Sequence, residues 1–275
     1  MHTIAYLGPE QTNTHIAAQK KFGRAQRYLH APTVDDVFHV VERRQAEYGV
    51  VPIENSLEGA VTHTLDRFID FVDSPVNIYG EVEQPIRHCL IVHPQAKLTR
   101  ITDVYSHPQA LAQCHRWLAQ HVPAAARHET NSTADAVGYL VRERASHRRA
   151  AIGREDLARR YQLRAIPIRE ERENTTRFLI IGLRKPARGR RNKTSILIAL
   201  KDKPGALHDV LVPFKREGIN LTKIESRPSK RKAWEYLFFI DVEGHESEPR
   251  LRRALKALQR STSLLRILGS YPVTR

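Results

Sequence analysis

The sequence predicts an α/β domain followed by a small βαββαβ domain. Three observations carry this reading. Up to residue 183, short apolar runs alternate with stretches of helical period. A basic segment containing Pro and Gly then interrupts the pattern at residues 184–192. Beyond it, six elements follow in the order strand, helix, strand, strand, helix, strand.

In the first domain, residues 3–7 read as a strand and 13–22 as a helix. Residues 35–44 carry Val37, Val40 and Val41 on one helical face. Residues 48–53 form a β-branched run that reads as a buried strand. Residues 62–71 place Leu65, Phe68 and Ile69 on one side of a helix, and two strand-like runs lie within 76–92. A strand at 101–105 leads into a helix at 108–120, with Pro108 in its first turn. Helices at 132–141 and 154–161 flank a strand at 150–152, and 177–183 is the last strand. Such alternation predicts a sheet with helices on both faces.

The run Arg184-Lys185-Pro186-Ala187-Arg188-Gly189-Arg190-Arg191-Asn192 has little that can pack and reads as a linker. It separates a domain over 1–184 from one over 192–275. In the latter, strands at 194–200, 219–226, 236–242 and 264–268 and helices at 204–216 and 249–259 give a ferredoxin-like layout.

Hydrophobic residues make up 41% of the 275, enough for a substantial core, and at 7% aromatics the aliphatic side chains must fill most of it. Cys89 and Cys114 form no CxxC pair and no disulfide framework, which points to reduced thiols in a cytoplasmic protein. The N-terminus has no basic leader pattern, and no apolar run approaches the ~18 residues of a membrane span, so no membrane partner is expected. A net charge of +15 suits nucleic-acid binding or attraction of a small anion. The basic residues are scattered, densest at 142–149 and 184–193, with no nucleic-acid-binding motif beside them. A solvated surface is the preferred reading, and no nucleic-acid partner is expected.

Five polar turns stand out. Glu54-Asn55-Ser56 follows the strand at 48–53, where Asn55 and Ser56 serve equally well as helix caps or as ligand contacts. Gly8-Pro9-Glu10-Gln11-Thr12-Asn13-Thr14 joins a strand to a helix N-terminus that can receive an anion, or is simply capped. Ser106-His107-Pro108-Gln109, with Gln113 and Cys114 further along its helix, repeats the theme, as does Thr130-Asn131-Ser132-Thr133. Asn174-Thr175-Thr176-Arg177-Phe178 sets two hydroxyls and a guanidinium at the start of a strand. Together these groups suit a cleft for a small carboxylate. HExxH, GxSxG, Walker A and GxGxxG patterns are absent, so neither metal nor cofactor is expected. In the second domain, Asp202 reads as a cap, Pro204 as a first-turn residue, and Gly205 as a point where a ligand or another chain can approach the backbone. A βαββαβ unit with one bare sheet face or edge is equally a dimerisation module.

Val51-Pro52-Ile53-Glu54-Asn55-Ser56-Leu57-Glu58-Gly59, Ser106-His107-Pro108-Gln109-Ala110-Leu111-Ala112-Gln113-Cys114, Ser132-Thr133-Ala134 and Asn174-Thr175-Thr176-Arg177-Phe178 resemble, in order, the signature blocks of the prephenate dehydratase family. Gly205-Ala206-Leu207 and Glu225-Ser226-Arg227-Pro228 resemble the two phenylalanine-binding motifs of that family's regulatory ACT domain. One block departs: Gln11 and Asn13 stand where the family usually has Gly and Phe. Gln11 must then adopt a backbone shape suited to Gly. The choice between prephenate and arogenate as substrate stays open.

The resemblance implies a two-lobed catalytic domain, similar to type 2 periplasmic binding proteins, closing over its cleft. It implies cofactor-free conversion of prephenate to phenylpyruvate, driven by aromatisation. By resemblance Thr176 donates a hydrogen bond to the departing hydroxyl in a desolvated cleft. Arg177 holds a carboxylate or orients Thr176, with orientation preferred. Thr12, Glu54, Asn55, Ser56, Ser106, Gln113, Ser132, Thr133 and Phe178 are expected at the substrate. L-phenylalanine is the implied effector, at Gly205, Ala206, Leu207, Asn220, Glu225, Ser226, Arg227 and Pro228, in a homodimer or homotetramer formed through ACT domains. A non-enzymatic solute sensor and a nucleic-acid-binding regulator are the alternatives.

Overall fold

The computed structural model describes every residue except 71, 143–146, 170–172, 202, 230–234 and 274–275, so the cap expected at Asp202 lies outside the described residues. The chain divides into two compact units. One comprises Met1–Leu7, Ala17–Glu83 and Thr176–Arg275; the other comprises Gly8–Ile16 and Gln84–Thr175.

The first unit is built on β1 (Thr3–Leu7), β2 (Arg27–Ala31), β3 (Tyr48–Asn55), β5 (Asn77–Pro85) and β11 (Thr175–Gly182), in the order β2-β1-β3-β11-β5, with the two-residue β4 (Gly59–Ala60) paired to β3. Strand β1 runs parallel to β2 and β3, whereas β11 is antiparallel to β3. Helix α1 (Asn13–Phe22) contributes Ala17 and Ala18 to a cluster with Tyr6, Val50, Phe178 and Ile180. Helices α2 (Val34–Glu42) and α3 (Thr62–Asp70) supply Val37, Phe38, Leu65 and Phe68 to a different cluster, so β3 is buried on both faces, as its unbroken apolar run predicts. Helix α2 starts at a capping box in which the Asp36 N–H donates to Thr33 Oγ1 (3.1 Å) and the Thr33 N–H donates to Asp36 Oδ2 (3.2 Å). A Cβ on Gly49 of β3 would meet Val37 Cγ1 at 2.7 Å, which is why α2 packs so closely there.

The second domain follows the expected order: β12 (Asn192–Leu200), α8 (Ala206–Arg216), β13 (Leu221–Pro228), β14 (Tyr236–Glu243), α9 (Pro249–Ser261) and β15 (Thr262–Pro272). Its antiparallel sheet runs β13-β14-β12-β15. Ile196, Ile198 and Ile240 pack with Val210 and Phe214 of α8 and Leu251 and Leu258 of α9. The alternate residues Leu197, Ala199, Leu237, Phe239 and Leu268 face the other way, into the core formed by α2, α3, β5 and β11. Of the bare face or edge expected, the face is thus covered by the chain itself, and among the described residues β13 and β15 are the edges of this sheet. At ~25 cal/mol per Å² of apolar surface, each large side chain in that seam contributes ~1.5–3 kcal/mol. Strand β15 approaches β5 so closely that a Cβ on Gly269 would sit 2.2 Å from the Ile78 carbonyl oxygen. The basic segment is also tethered: Lys185 pairs with Glu246 (2.9 Å), Arg188 with Glu248 (3.1 Å), and the Gly189 N–H donates to Asn192 Oδ1 (2.8 Å).

The second unit repeats the layout of the first sheet. Strands β6 (Cys89–Val92), β7 (Asp103–Ser106), β8 (Ala126–Glu129), β9 (Arg149–Gly153) and β10 (Arg164–Pro167) run β10-β6-β9-β7-β8. Here too one strand, β7, lies parallel to two neighbours, and a returning strand, β6, is antiparallel to the third. Helices α6 (Thr133–Arg142) and α7 (Glu155–Arg160) bury Val137, Leu140 and Leu157 against it. The helix expected over 108–120 is two, α4 (Pro108–Gln113) and α5 (His115–His121), separated at the buried Cys114. There the His115 ring bonds the Ala112 carbonyl (2.9 Å), competing with the backbone ladder.

Candidate active site

The ends of β3 and β11 set the first part of the site. Their register pairs Thr176 with Asn55 and Arg177 with Glu54, then slips by one residue so that Phe178 faces Pro52. This bulge re-aims the rungs beyond the regular ladder. Asn55 Nδ2 donates to Thr176 Oγ1 at 2.9 Å, and Asn55 Oδ1 accepts from the Leu57 N–H at 2.9 Å. Asn55 therefore both shapes its turn and engages the threonine. Thr176 is half-buried, Asn55 buried and Ser56 exposed. Among the described residues, no acceptor takes the Thr176 hydroxyl proton. A hydroxyl whose oxygen already accepts from an amide is poised to donate.

On the next rung, and on the opposite face of the sheet, Arg177 sits in an ionic cluster. Its side chain is 7% exposed. Nε lies 2.7 Å from Glu54 Oε1, and Nη1 lies 2.8 Å from both Glu81 Oε2 and Asp241 Oδ2. Asp241 belongs to β14 of the second domain, as do Lys193 and Lys223 to β12 and β13. Lys193 Nζ bonds Glu81 (2.8 Å) and Lys223 Nζ bonds Glu54. Three cations meet three carboxylates. Burial opposes the charge on Arg177, but Asp241, Glu81 and Glu54 outweigh it and raise its pKa. Burial likewise pushes the Glu54 carboxyl up, but Arg177 and Lys223 hold it below its ordinary value. The Arg177 guanidinium thus lies within 2.8 Å of three carboxylates, on the side of the strand away from Thr176. Phe178, 2% exposed, is a core residue beside Ile180 and Val50 rather than a surface contact.

In the other unit the polar turns are locally ordered. Gln11 adopts φ +66°, the glycine-like backbone its position demanded. Its N–H donates to His15 Nδ1 (2.9 Å), and Arg154 donates to its carbonyl. Burial lowers the His15 pKa, with Arg154 adding to the effect and Glu10 opposing it. Thr12 Oγ1 accepts from the His15 N–H (3.3 Å) at the start of α1. The buried side-chain amide oxygen of Asn13 (Oδ1) has no partner among the described residues. Ser106 is 0% exposed, and its hydroxyl donates to the Ile152 carbonyl (3.0 Å), tying β7 to β9. It supports the turn from within, which replaces the substrate contact expected of it. Gln113 Oε1 is fixed by His88 Nε2 (2.9 Å) and Asn174 Nδ2 (3.0 Å). Ser132 Oγ accepts from the Asp135 N–H (3.0 Å), a cap for α6, whose first residue is the half-buried Thr133. His88, between β5 and β6, and Arg154, at the N-cap of α7, lie outside the five polar turns singled out in the sequence.

The expected effector residues fall at two places in the second domain. Gly205, at φ +75°, precedes α8 with open space where a side chain would be. Ala206 is buried and Leu207 38% exposed. Asn220 is exposed, its carbonyl accepting from the Glu243 N–H (3.0 Å). On β13, Glu225 is half-buried while Ser226 and Pro228 are exposed. Arg227 instead forms a two-pronged pair with Asp66 of α3 (2.8 and 3.1 Å), a strut between the second domain and the helix beneath it.

Comparison with known proteins adds a family to this geometry. The prephenate dehydratase model matches residues 4–186, and the ACT domain model matches 194–260. A bifunctional chorismate mutase/prephenate dehydratase of Aquifex aeolicus is 45% identical over 271 residues, 98% of this chain and 73% of that protein. A prephenate dehydratase of Methanocaldococcus jannaschii is 41% identical across 98% of both chains. The crystal structure of an Arthrobacter aurescens prephenate dehydratase in complex with L-Phe superposes with a TM-score of 0.88 at 33% identity, covering 98% of this chain and 90% of that one.

Proposed function

This chain belongs to the prephenate dehydratase family, and we propose that its Thr176 performs the decisive step in converting prephenate to phenylpyruvate. In that reaction the bond from the ring to its carboxylate breaks and its electron pair enters the ring. The allylic C–O bond breaks, and hydroxide leaves, becoming water with one proton. The single observation that carries the assignment is the 2.9 Å hydrogen bond from Asn55 to Thr176, in which the hydroxyl oxygen accepts and its proton stays available to donate. Donation to the departing oxygen stabilises charge as it develops. Glu54 and Arg177 support this pair from behind. We assign substrate binding to Thr12, Asn55, Ser56, Gln113, Ser132 and Thr133. His88 and Asn174 fix the orientation of Gln113.

L-phenylalanine is proposed as the effector of the ACT domain, at Gly205, Ala206, Leu207, Asn220, Glu225, Ser226 and Pro228, biasing the enzyme between two states of different activity. We further propose a homodimer or homotetramer through ACT domains and a cytoplasmic location. The unpaired edge β13, with Ile224 exposed, supports self-association. Among the described residues, no helix is long and apolar enough to cross a membrane.

The test is direct. The purified chain is given prephenate, and phenylpyruvate and CO2 are measured with and without L-phenylalanine. Equal molar release of the two products supports the reading; binding of prephenate without product contradicts it. Activity indifferent to L-phenylalanine removes the effector assignment alone.

A further inference from the structure

We propose that Asp241, in the ACT domain, is a positioning residue for the dehydration reaction, acting through Arg177 on the Thr176 hydroxyl. The inference rests on the role given to Thr176 above. Adjacent rungs of the β3–β11 ladder carry the argument. One rung is Asn55–Thr176 and the next is Glu54–Arg177. Side chains on successive residues of a strand point to opposite faces. The first rung presents the hydrogen-bonded pair to one face; the second presents its charges to the sheet of the second domain.

That second rung is held by residues far away in sequence. Asp241 Oδ2 lies 2.8 Å from Arg177 Nη1, and Lys223 bonds Glu54. Asp241 is itself fixed: Ser195 Oγ donates to its other oxygen at 2.6 Å. Both residues of the Glu54–Arg177 rung are therefore clamped from the ACT sheet. Their chain neighbours are the donor and the acceptor of the Asn55–Thr176 hydrogen bond. A buried guanidinium held by three carboxylates has few alternative rotamers, so the backbone between Arg177 and Thr176 has little freedom. Loss of Asp241 gives Arg177 that freedom. A reacting group displaced by ~1 Å loses up to ~10²-fold in rate. The ACT domain thereby contributes directly to catalytic geometry, and Asp241 is a point at which a rearrangement of that domain alters turnover.

Full-length wild type, Thr176→Ala, Asp241→Asn and the double variant are assayed with prephenate for kcat and KM, with circular dichroism as the check of folding. Asp241→Asn is expected to lower kcat ~10-fold with KM changed less than ~2-fold, the pattern of an interaction realised only in the transition state. In the Thr176→Ala background the same substitution is expected to change the residual kcat by less than ~2-fold, because the group it acts through is gone. A purely structural role gives the same fold-loss in both backgrounds, and that result overturns the inference. So does an unchanged kcat in Asp241→Asn while Thr176→Ala is inactive, which leaves the role of Thr176 standing. Near-normal turnover in Thr176→Ala overturns both. If Asp241→Asn does not fold, Ser195→Ala decides: a kcat loss of ~3-fold at constant KM supports the inference, and unchanged kcat refutes it.

Discussion

Replacing Arg177 with Met tests the buried cluster most severely. The substitution keeps much of the side-chain volume and removes the charge that touches Glu54, Glu81 and Asp241 at 2.7–2.8 Å. Three carboxylates then face two ammonium groups, and Glu81 and Asp241 are only 9% exposed. Removing one partner from a buried ion cluster costs ~3–5 kcal/mol. One orphaned carboxylate can relieve the strain by keeping a proton, at ~1.4 kcal/mol per unit of raised pKa. Its folded pKa then lies above the unfolded value, so the penalty is full at pH above the folded pKa. The penalty shrinks as pH falls towards the unfolded value. With a urea dependence of ~2–3 kcal/mol per molar, a loss of ~3 kcal/mol at pH 8 moves the midpoint down by ~1–1.5 M. The midpoint gap between wild type and variant should narrow on acidification towards pH ~5. A loss below ~1 kcal/mol, or a gap independent of pH, would show that the cluster is not the electrostatic unit described.

Other outcomes follow from single contacts. Asn55→Ala removes the donor on Thr176 and should lower kcat ~10–10²-fold, read in the phenylpyruvate assay. Gly269→Ala forces a Cβ against the Ile78 backbone and should cost ~1–3 kcal/mol in urea unfolding. Gly138→Ala, in helix α6, meets only the flexible end of Arg142 at 3.5 Å and should instead stabilise by ~0.5–1 kcal/mol. The depressed pKa of Glu54 means its charged form stabilises the fold fully above the ordinary value of 4.5 and loses that effect as pH falls through the lower, folded value. Glu54→Gln should therefore differ most from wild type near neutral pH, with the difference in unfolding free energy shrinking in acid.

Much of the architecture was legible because it is written in local patterns. The βαββαβ order, the double-sided burial of β3 and the five polar turns each leave a mark within a few residues of sequence. The edge strands β2, β8 and β10 did not, since Arg-Tyr-Leu-His-Ala and Ala-Arg-His-Glu bury little and lack a continuous apolar run. The break at Cys114 depends on a histidine side chain competing for a carbonyl, which helical periodicity does not record. Within the site, Thr176 and Asn55 were found at their turns, and the positive φ of Gln11 followed from its standing in a glycine position. Ser106 and Phe178 sit in the same motifs, yet one ties β7 to β9 by a hydrogen bond and the other packs in the core, a difference that the local sequence pattern does not record. The partner of Arg177 was out of reach: Asp241 is 64 residues away, and an ion pair across two domains leaves no periodicity to read.

The most direct measurement of the account is the turnover of Thr176→Val, which keeps the branched shape and removes the hydroxyl. At saturating prephenate the rate should fall by ~10²–10⁴, with KM and the unfolding midpoint near those of wild type. A variant that still releases phenylpyruvate within a few-fold of the wild-type rate would mean that some other group assists the leaving hydroxide.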